Sequence, residues 1–191
     1  DLADTLRKKL ELHRGEAQED ELEYRIGQVC EQKLEAVDQA IDYYKAILAR
    51  NAEHAGAHEA LRGLLEHEDH KLDAARVLEE LYTRTENYER LAEILEIQLS
   101  EESDGYAQVE LLKRIAEIHQ DKLTNYEAAF HDVARIVMID QGNDYIEQLE
   151  NLSEILNNRS ELVDVYKKVV SEVYDAELQV SFNNKIASLL Q

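Results

Sequence analysis

A chain of 191 residues is long enough to bury a sizeable core, and its 44% hydrophobic content separates it from acidic disordered tails. It has no proline and only six glycines, a composition that indicates an all-helical protein. The formal net charge of −21 repels phosphate backbones and anionic lipid, so neither nucleic acid nor a membrane is expected as a partner. The acid excess serves solubility or attracts a protein partner with a basic surface.

Apolar residues recur at spacings of three and four along nearly the whole chain, which is the helical period. Turn-forming residues separate the periodic stretches, as at 51–56 between the third and fourth of them, and Asn125 or Thr124 is expected to cap the eighth. The pattern predicts eleven helices, over residues 2–13, 19–33, 37–50, 57–66, 72–84, 88–101, 106–121, 126–139, 144–156, 160–173 and 176–190.

The sequence repeats itself at two distances. The stretch from Arg25 to Leu48 returns from Arg114 to Val137, an offset of 89 residues without a gap. A second match, from Leu78 to Leu149, has an offset of 71 residues, or about two helical hairpins. A single hairpin cannot bury its own apolar face, whereas stacked neighbours can. We therefore expect one domain over residues 1–191, built of a module at 1–86, a second at 87–158 and a partial one at 159–191.

The hairpins resemble tetratricopeptide repeats (TPRs), and the 71-residue pattern is similar to helical arrays in large bacterial TPR proteins. The family's large and small packing residues fall on Ile26, Gly27, Ala40 and Tyr44, and in the second copy on Ile115, Ala116, Ala129 and Val133. The usual tryptophan and proline are missing, and Cys30 and His119 replace an aromatic residue, so generic helical hairpins remain an alternative. The resemblance implies an all-α fold, a right-handed α-α superhelix (solenoid) of about ten to eleven antiparallel helices.

TPR arrays are non-catalytic protein–protein interaction scaffolds, so the resemblance implies a protein or peptide partner on the concave face. That face is lined by first-helix residues that point away from the packing stripe. The resemblance assigns this role to Tyr24, Gln28, Glu31 and Gln32 in the first copy, and to Lys113, Glu117, Gln120 and Asp121 in the second. The alternative is that these residues are merely solvated. Nothing resembles the paired basic residues with which some TPR proteins clamp a carboxylate terminus.

Candidate metal and catalytic residues are few. Four histidines are close in sequence, at 54, 58, 67 and 70, but a zinc site needs three or four convergent ligands and the chain has no second cysteine. Cys30 lies on an apolar stripe and is expected in the core. With 42 acidic residues, neighbouring carboxylates do not indicate acid–base catalysis. We expect no catalytic residue, metal or cofactor, and no enzymatic activity.

A second interpretation of the chain is a structural spacer, or a self-associating segment of a large assembly, and a homo-oligomer is possible in either case. Exposed tyrosines would favour a binding surface, and Tyr24 and Tyr43 are the candidates, since Tyr44 and Tyr82 lie on packing stripes. The chain starts at Asp1 and ends on an unfinished apolar pattern at Gln191, which is typical of a fragment. Absent targeting signals therefore leave the compartment open, with the cytoplasm favoured.

Overall fold

The computed structural model describes residues 2–13, 15 and 18–191. Within them the fold is all-α, with eleven α-helices and no strand, which confirms the predicted all-α class, while the right-handed superhelix stays a prediction. The helices are α1 (Leu2–Leu12), α2 (Glu19–Lys33), α3 (Val37–Arg50), α4 (Ala55–Leu64), α5 (Lys71–Arg84), α6 (Tyr88–Glu101), α7 (Gly105–Glu117), α8 (Tyr126–Ile139), α9 (Asn143–Leu156), α10 (Arg159–Glu172) and α11 (Ala176–Leu189). A π-helical turn, Ile118–Lys122, continues α7. In this described part of the chain, each helix is too short or too polar to cross a membrane.

The chain divides into two compact units, Asp1–Ile97 and Gln98–Gln191. Unit 1 contains α1 to α5 and most of α6, and unit 2 contains α7 to α11. The predicted modules at 1–86, 87–158 and 159–191 stay a prediction.

The core of unit 1 is built on the antiparallel pair α2 and α3. Arg50 at the end of α3 donates to Asp20 at the start of α2, 2.9 Å away, and also pairs with Glu23. Between these helices Gly27 lies against the buried ring of Tyr44, and a Cβ atom at Gly27 would come within 2.6 Å of that ring. A small residue in the middle of α2 therefore allows the close approach of the two helices.

The core of unit 2 centres on α8, which packs against α7 and α9. Phe130 and Val133 of α8 are fully buried, and so are Leu149 of α9 and Tyr166 of α10. Phe182 brings α11 onto this core, because its buried ring packs edge-on against Tyr166 at 5.1 Å between centroids. The burial of these two aromatic rings contributes much of the stability of the contact between α10 and α11.

The 71-residue repeat is also visible in unit 2, where two helices begin with the same hydrogen bonds to the main chain. Asp104 caps α7 by accepting a hydrogen bond from a main-chain N–H three residues on, and Asp175 caps α11 in the same way. In both places a glutamine four residues after the cap, Gln108 or Gln179, donates to a main-chain carbonyl six residues earlier. The sequence match at this distance therefore corresponds to a repeated helix start.

Predicted and observed helix boundaries agree within one residue for most helices, and the exceptions are the fourth and the seventh. The prediction of 57–66 for α4 was wrong by two residues at each end, because the imidazole of His54 accepts a hydrogen bond from Ala57 N–H and starts the helix at Ala55. Helix α7 ends at Glu117 instead of 121, where the π-helical turn begins. Asn125, not Thr124, caps α8.

Candidate functional site

Three of the four predicted residues on α2 make contacts within unit 1. The ring of Tyr24 is half-buried between Tyr44 and His54, with centroids 5.9 and 5.3 Å away. Gln28 donates to the Tyr24 hydroxyl at 3.1 Å, and Glu31 accepts from the Tyr44 hydroxyl at 2.7 Å. Burial, followed by the hydrogen bond to Glu31, raises the pKa of Tyr44. Tyr24 is thus a packing residue more than the uncommitted tyrosine expected from the sequence.

The fourth predicted residue, Gln32, is exposed. Together with Gln28 it lines a shallow groove of about 200 Å³ between α1 and α2. The remaining lining residues are Leu2, Leu6, Arg25, Val29 and Lys33. Two amides and two cations therefore share this groove with apolar side chains. Tyr43, the other tyrosine expected to be uncommitted, is half-buried and lies near Arg7, whose pKa it raises.

The predicted residues of the second copy lie on α7 and the π-helical turn. Lys113 is half-buried and pairs with Glu110 one helical turn away, at 3.0 Å. Glu117 and Asp121 are exposed. Gln120 is half-buried and accepts a hydrogen bond from Gln148 of α9 at 3.4 Å. This contact joins the predicted residues to α9.

Two tyrosines lie close to Lys113. Tyr106 in the first turn of α7 has 78% of its surface exposed, and Tyr145 of α9 is half-buried. The hydrogen bond to Glu110 raises the pKa of Lys113, and the two tyrosines add smaller contributions. We call the surface formed by Tyr106, Lys113, Gln120, Tyr145 and Gln148 the α7–α9 face. Aromatic side chains such as the exposed Tyr106 are enriched at protein-binding surfaces.

A larger groove of about 790 Å³ lies between α9, the start of α10 and α11, and we call it the α9–α11 groove. Its lining is rich in small polar side chains, which leave room for a ligand and offer hydrogen bonds. The lining residues are Glu150, Ser153, Glu154, Asn157, Arg159, Leu162, Ser181, Asn184, Lys185, Ser188 and Leu189. None of these residues was predicted from the sequence.

One carboxylate joins the walls of the α9–α11 groove. A single oxygen of Glu150 on α9 accepts from the Tyr166 hydroxyl of α10 at 2.8 Å and from Lys185 of α11 at 2.7 Å. Burial, followed by the hydrogen bond to Glu150, raises the pKa of Tyr166, so the hydroxyl stays a donor at neutral pH. This network holds the three helices in one arrangement and preorganises the groove between them.

Charges of both signs are available in the groove. Arg159 begins α10 and Glu154 lies in the last turn of α9. Within the part of the chain that the structure describes, neither residue forms an ion pair, so both are available to a ligand. Lys185 and Glu150, by contrast, neutralise each other. The groove therefore has no strong preference for the sign of charge of its ligand.

The clustered histidines have separate roles. His54 caps α4, His58 contacts Tyr82 and Arg90, His70 lies 3.5 Å from Asp38, and His67 is exposed. Among residues 2–13, 15 and 18–191, no group of three or more histidine, cysteine or carboxylate side chains could hold a metal ion.

Cys30 and His119 occupy matching positions of the 89-residue repeat, and both side chains are mostly or fully buried. Cys30 is fully buried, as expected. His119 is 19% exposed and its Nδ1 lies 2.6 Å from a carboxylate oxygen of Asp132, which is itself 6% exposed. The acidic partner of His119 was not predicted from the sequence, because it lies 13 residues away on the next helix.

The signal that could have located the α9–α11 groove is a stripe of small polar residues on α11. Ser181, Asn184 and Ser188 follow each other at spacings of three and four, so they share one helical face. Sequence comparison adds no further assignment: no model of a known protein family and no curated protein matches the chain.

Proposed function

We propose that this chain is a non-catalytic protein-binding module of the TPR-like helical-repeat kind, and that it holds an extended segment of a partner protein in the α9–α11 groove. The observation that carries the proposal is the size and lining of this groove, about 790 Å³ of space walled by three helices and lined by small hydrogen-bonding side chains. Sites that bind ligands in proteins commonly have volumes of about 300–1,000 Å³.

The dimensions of the groove suit an extended peptide. The groove is lined from Glu150 to Asn157 along α9 and from Ser181 to Leu189 along α11, and a helical stretch of that length extends about 12 Å. A peptide of three to four residues covers about the same distance when extended, since each residue adds about 3.3–3.6 Å. The proposed ligand is therefore a segment with about three to four residues inside the groove.

The chemistry of the lining suits a peptide backbone. Serine hydroxyls and asparagine amides both donate and accept hydrogen bonds, as the alternating N–H and C=O groups of an extended chain require. Ser181, Asn184 and Ser188 provide these groups along α11. Leu162 and Leu189 provide apolar contact, and Arg159 and Glu154 can pair with ligand side chains of either charge.

The residues predicted from the TPR resemblance have a secondary place in this proposal. The α7–α9 face shares α9 with the groove and includes two of them, Lys113 and Gln120. A ligand longer than the groove would extend onto this face, where Tyr106 is the most exposed aromatic side chain. Glu117 and Asp121 remain candidates for attracting a basic partner.

The test is selection of peptides from a displayed random library on the immobilised full chain. The groove variant carries Ser181→Arg and Ser188→Arg, which fill the space with long side chains. A matched control carries Ser171→Arg, because Ser171 is an exposed serine of α10 that does not line the groove. Circular dichroism checks that both variants are folded.

We expect the selected peptides to bind the unchanged chain and the Ser171→Arg control equally, and to bind the groove variant at least about tenfold more weakly, a loss of about 1.4 kcal/mol. Equal binding to all three proteins would place the ligand elsewhere and contradict the proposal. If no peptide is enriched, the structural spacer becomes the better interpretation.

A further inference from the structure

The ring of His58 joins three helices of unit 1. His58 lies on α4, and its Nε2 atom is 2.6 Å from the Tyr82 hydroxyl of α5 and 2.9 Å from a guanidinium nitrogen of Arg90 on α6. The guanidinium carbon lies 5.9 Å from the centre of the Tyr82 ring. These three side chains line a cleft of about 280 Å³ together with Glu53.

The partners of His58 determine its protonation state. An arginine side chain has five N–H donors and no acceptor, so Nε2 must accept the hydrogen bond from Arg90. The ring is therefore neutral, with its proton on Nδ1, and Tyr82 donates to the same nitrogen. A proton on Nε2 would remove this acceptor and place a positive charge beside the guanidinium.

We propose that His58 is a proton-driven switch: protonation of its ring releases Arg90 from the cleft and loosens the first turn of α6. The tyrosine can adapt, because its hydroxyl can accept from the protonated ring. The arginine cannot, because it has only donors and carries the same charge. The hydrogen bond through which Arg90 holds α6 on α4 is therefore lost in one step.

The charged and titratable groups around His58 determine the pH at which the switch acts. They are Glu53 in the loop before α4, Arg62 on α4 itself, which pairs with Glu93 of α6, Tyr82 on α5 and Arg90 on α6. Burial of the ring, followed by Arg90 and Arg62, lowers the pKa of His58, while Glu53 opposes them. The transition thus lies on the acid side of the ordinary histidine value of about 6.5.

Glu53 gives the protonated ring of His58 a second partner. Its carboxylate lines the same cleft and favours the protonated ring, so Glu53 can attract the charged ring once Arg90 has left. The switch therefore exchanges one internal partner of His58 for another.

The contact of His58 with Tyr82 and Arg90 is not a requirement of the repeat. At the 71-residue offset, Tyr82 corresponds to Ser153 and Arg90 to Glu161, and the second copy lacks this cluster. Glu161 instead accepts a hydrogen bond from Asn158 at 2.9 Å and lies 3.7 Å from His131 of α8. The contact of one histidine with a tyrosine and an arginine is therefore found in unit 1 and not at the matching positions of unit 2.

The test is an NMR titration of the histidine rings in the full chain between pH 4 and 8, combined with amide hydrogen exchange. Arg90→Gln removes a nearby positive charge and is expected to raise the pKa of His58, whereas Glu53→Gln is expected to lower it. The exposed His67 serves as an internal reference in the same spectra.

We expect His58 to be the Nδ1–H tautomer at pH 7.5 and to titrate below the ordinary histidine value of about 6.5. The amides of Arg90 and Leu91 are hydrogen-bonded to Asn87. We expect their protection factors, which are corrected for the intrinsic pH dependence of exchange, to fall as His58 is protonated, by up to about tenfold for each unit by which the pKa of His58 lies below 6.5. His58→Gln keeps a neutral acceptor and should abolish this loss of protection, while His67→Gln should not. The switch is refuted if His58 titrates at or above about 6.5. It is equally refuted if exchange in the first turn of α6 does not follow the titration.

Discussion

Glu35 and Thr124 adopt the same left-handed backbone conformation, with φ of 51° and 53°, at equivalent points of the 89-residue repeat. Each follows a helix end with the same hydrogen bonds: Leu34 N–H to Val29 O in one copy and Leu123 N–H to Ile118 O in the other. Glycine is the usual residue for this conformation, because a Cβ atom makes it unfavourable. The repeat thus preserves a strained helix end without the residue that would relieve the strain.

The first prediction is that Thr124→Gly stabilises the protein. Left-handed backbone costs an L-residue about 1–2 kcal/mol, and the greater freedom of glycine in the unfolded chain offsets part of the gain. We expect an increase of about 0.5–1 kcal/mol in the free energy of unfolding, measured in urea. The control is Thr85→Gly, which should destabilise, because Thr85 has φ of −91° and donates a side-chain hydrogen bond.

The second prediction compares two glycines. Gly27→Ala places a methyl group 2.6 Å from the buried Tyr44 ring, which cannot move freely because its hydroxyl is bound to Glu31. Overpacking of this kind costs about 1–3 kcal/mol. Gly63→Ala has no atom within 4 Å of the added methyl group and should stabilise α4 by up to about 1 kcal/mol. Changes of the same sign in the unfolding free energy of both variants would argue against this packing of α2 on α3.

The third prediction concerns the attachment of α11, which forms one wall of the groove. Phe182 is 1% exposed and Val180 is 60% exposed on the same helix. Phe182→Ala should cost about 3–5 kcal/mol, because it leaves a cavity beside Tyr166. Val180→Ala should change stability by less than about 0.5 kcal/mol. Urea unfolding of both variants tests the prediction, and similar costs would show that α11 is not held through Phe182.

The fourth prediction is the pH dependence that His58 gives to stability. Its pKa is lowered in the folded protein, so below about pH 6.5 the unfolded chain takes up a proton that the folded chain does not. The contribution of neutral His58 is complete above that pH and declines as the pH falls towards the folded-state pKa. Urea unfolding between pH 5 and 7.5 should show a weaker decline in His58→Gln than in His67→Gln. If the unfolding free energies of the two variants depend equally on pH, the proposed contribution of His58 is contradicted.

Most of the fold could be predicted because it depends on local patterns. The apolar period and the turn residues predicted α3 and α8 to the residue, and their bounds differ by the repeat offset of 89. The error at α4 arose because histidine is an uncommon helix cap, and only the fold shows that His54 accepts from Ala57. The π-helical turn after Glu117 likewise depends on packing that no local pattern reports.

The candidate site was less predictable for a physical reason. A groove depends on the side chains that three helices bring together, and periodicity identifies the buried face of each helix more clearly than the polar one. Tyr24 appeared uncommitted because its partner His54 is 30 residues away and lies at the start of another helix. The polar stripe of Ser181 and Ser188 carried some information, but only the position of α9 beside it makes a groove.

The central claim is that the α9–α11 groove binds an extended peptide, and NMR mapping on the isotope-labelled full chain tests it most directly. A selected peptide should shift the amide signals of α9, the start of α10 and α11, with the largest changes around Asn157, Ser181 and Asn184. The same peptide should leave the signals of the Ser181→Arg, Ser188→Arg variant unchanged. Shifts confined to unit 1, or to the surface shared by α8 and α10, would contradict the claim.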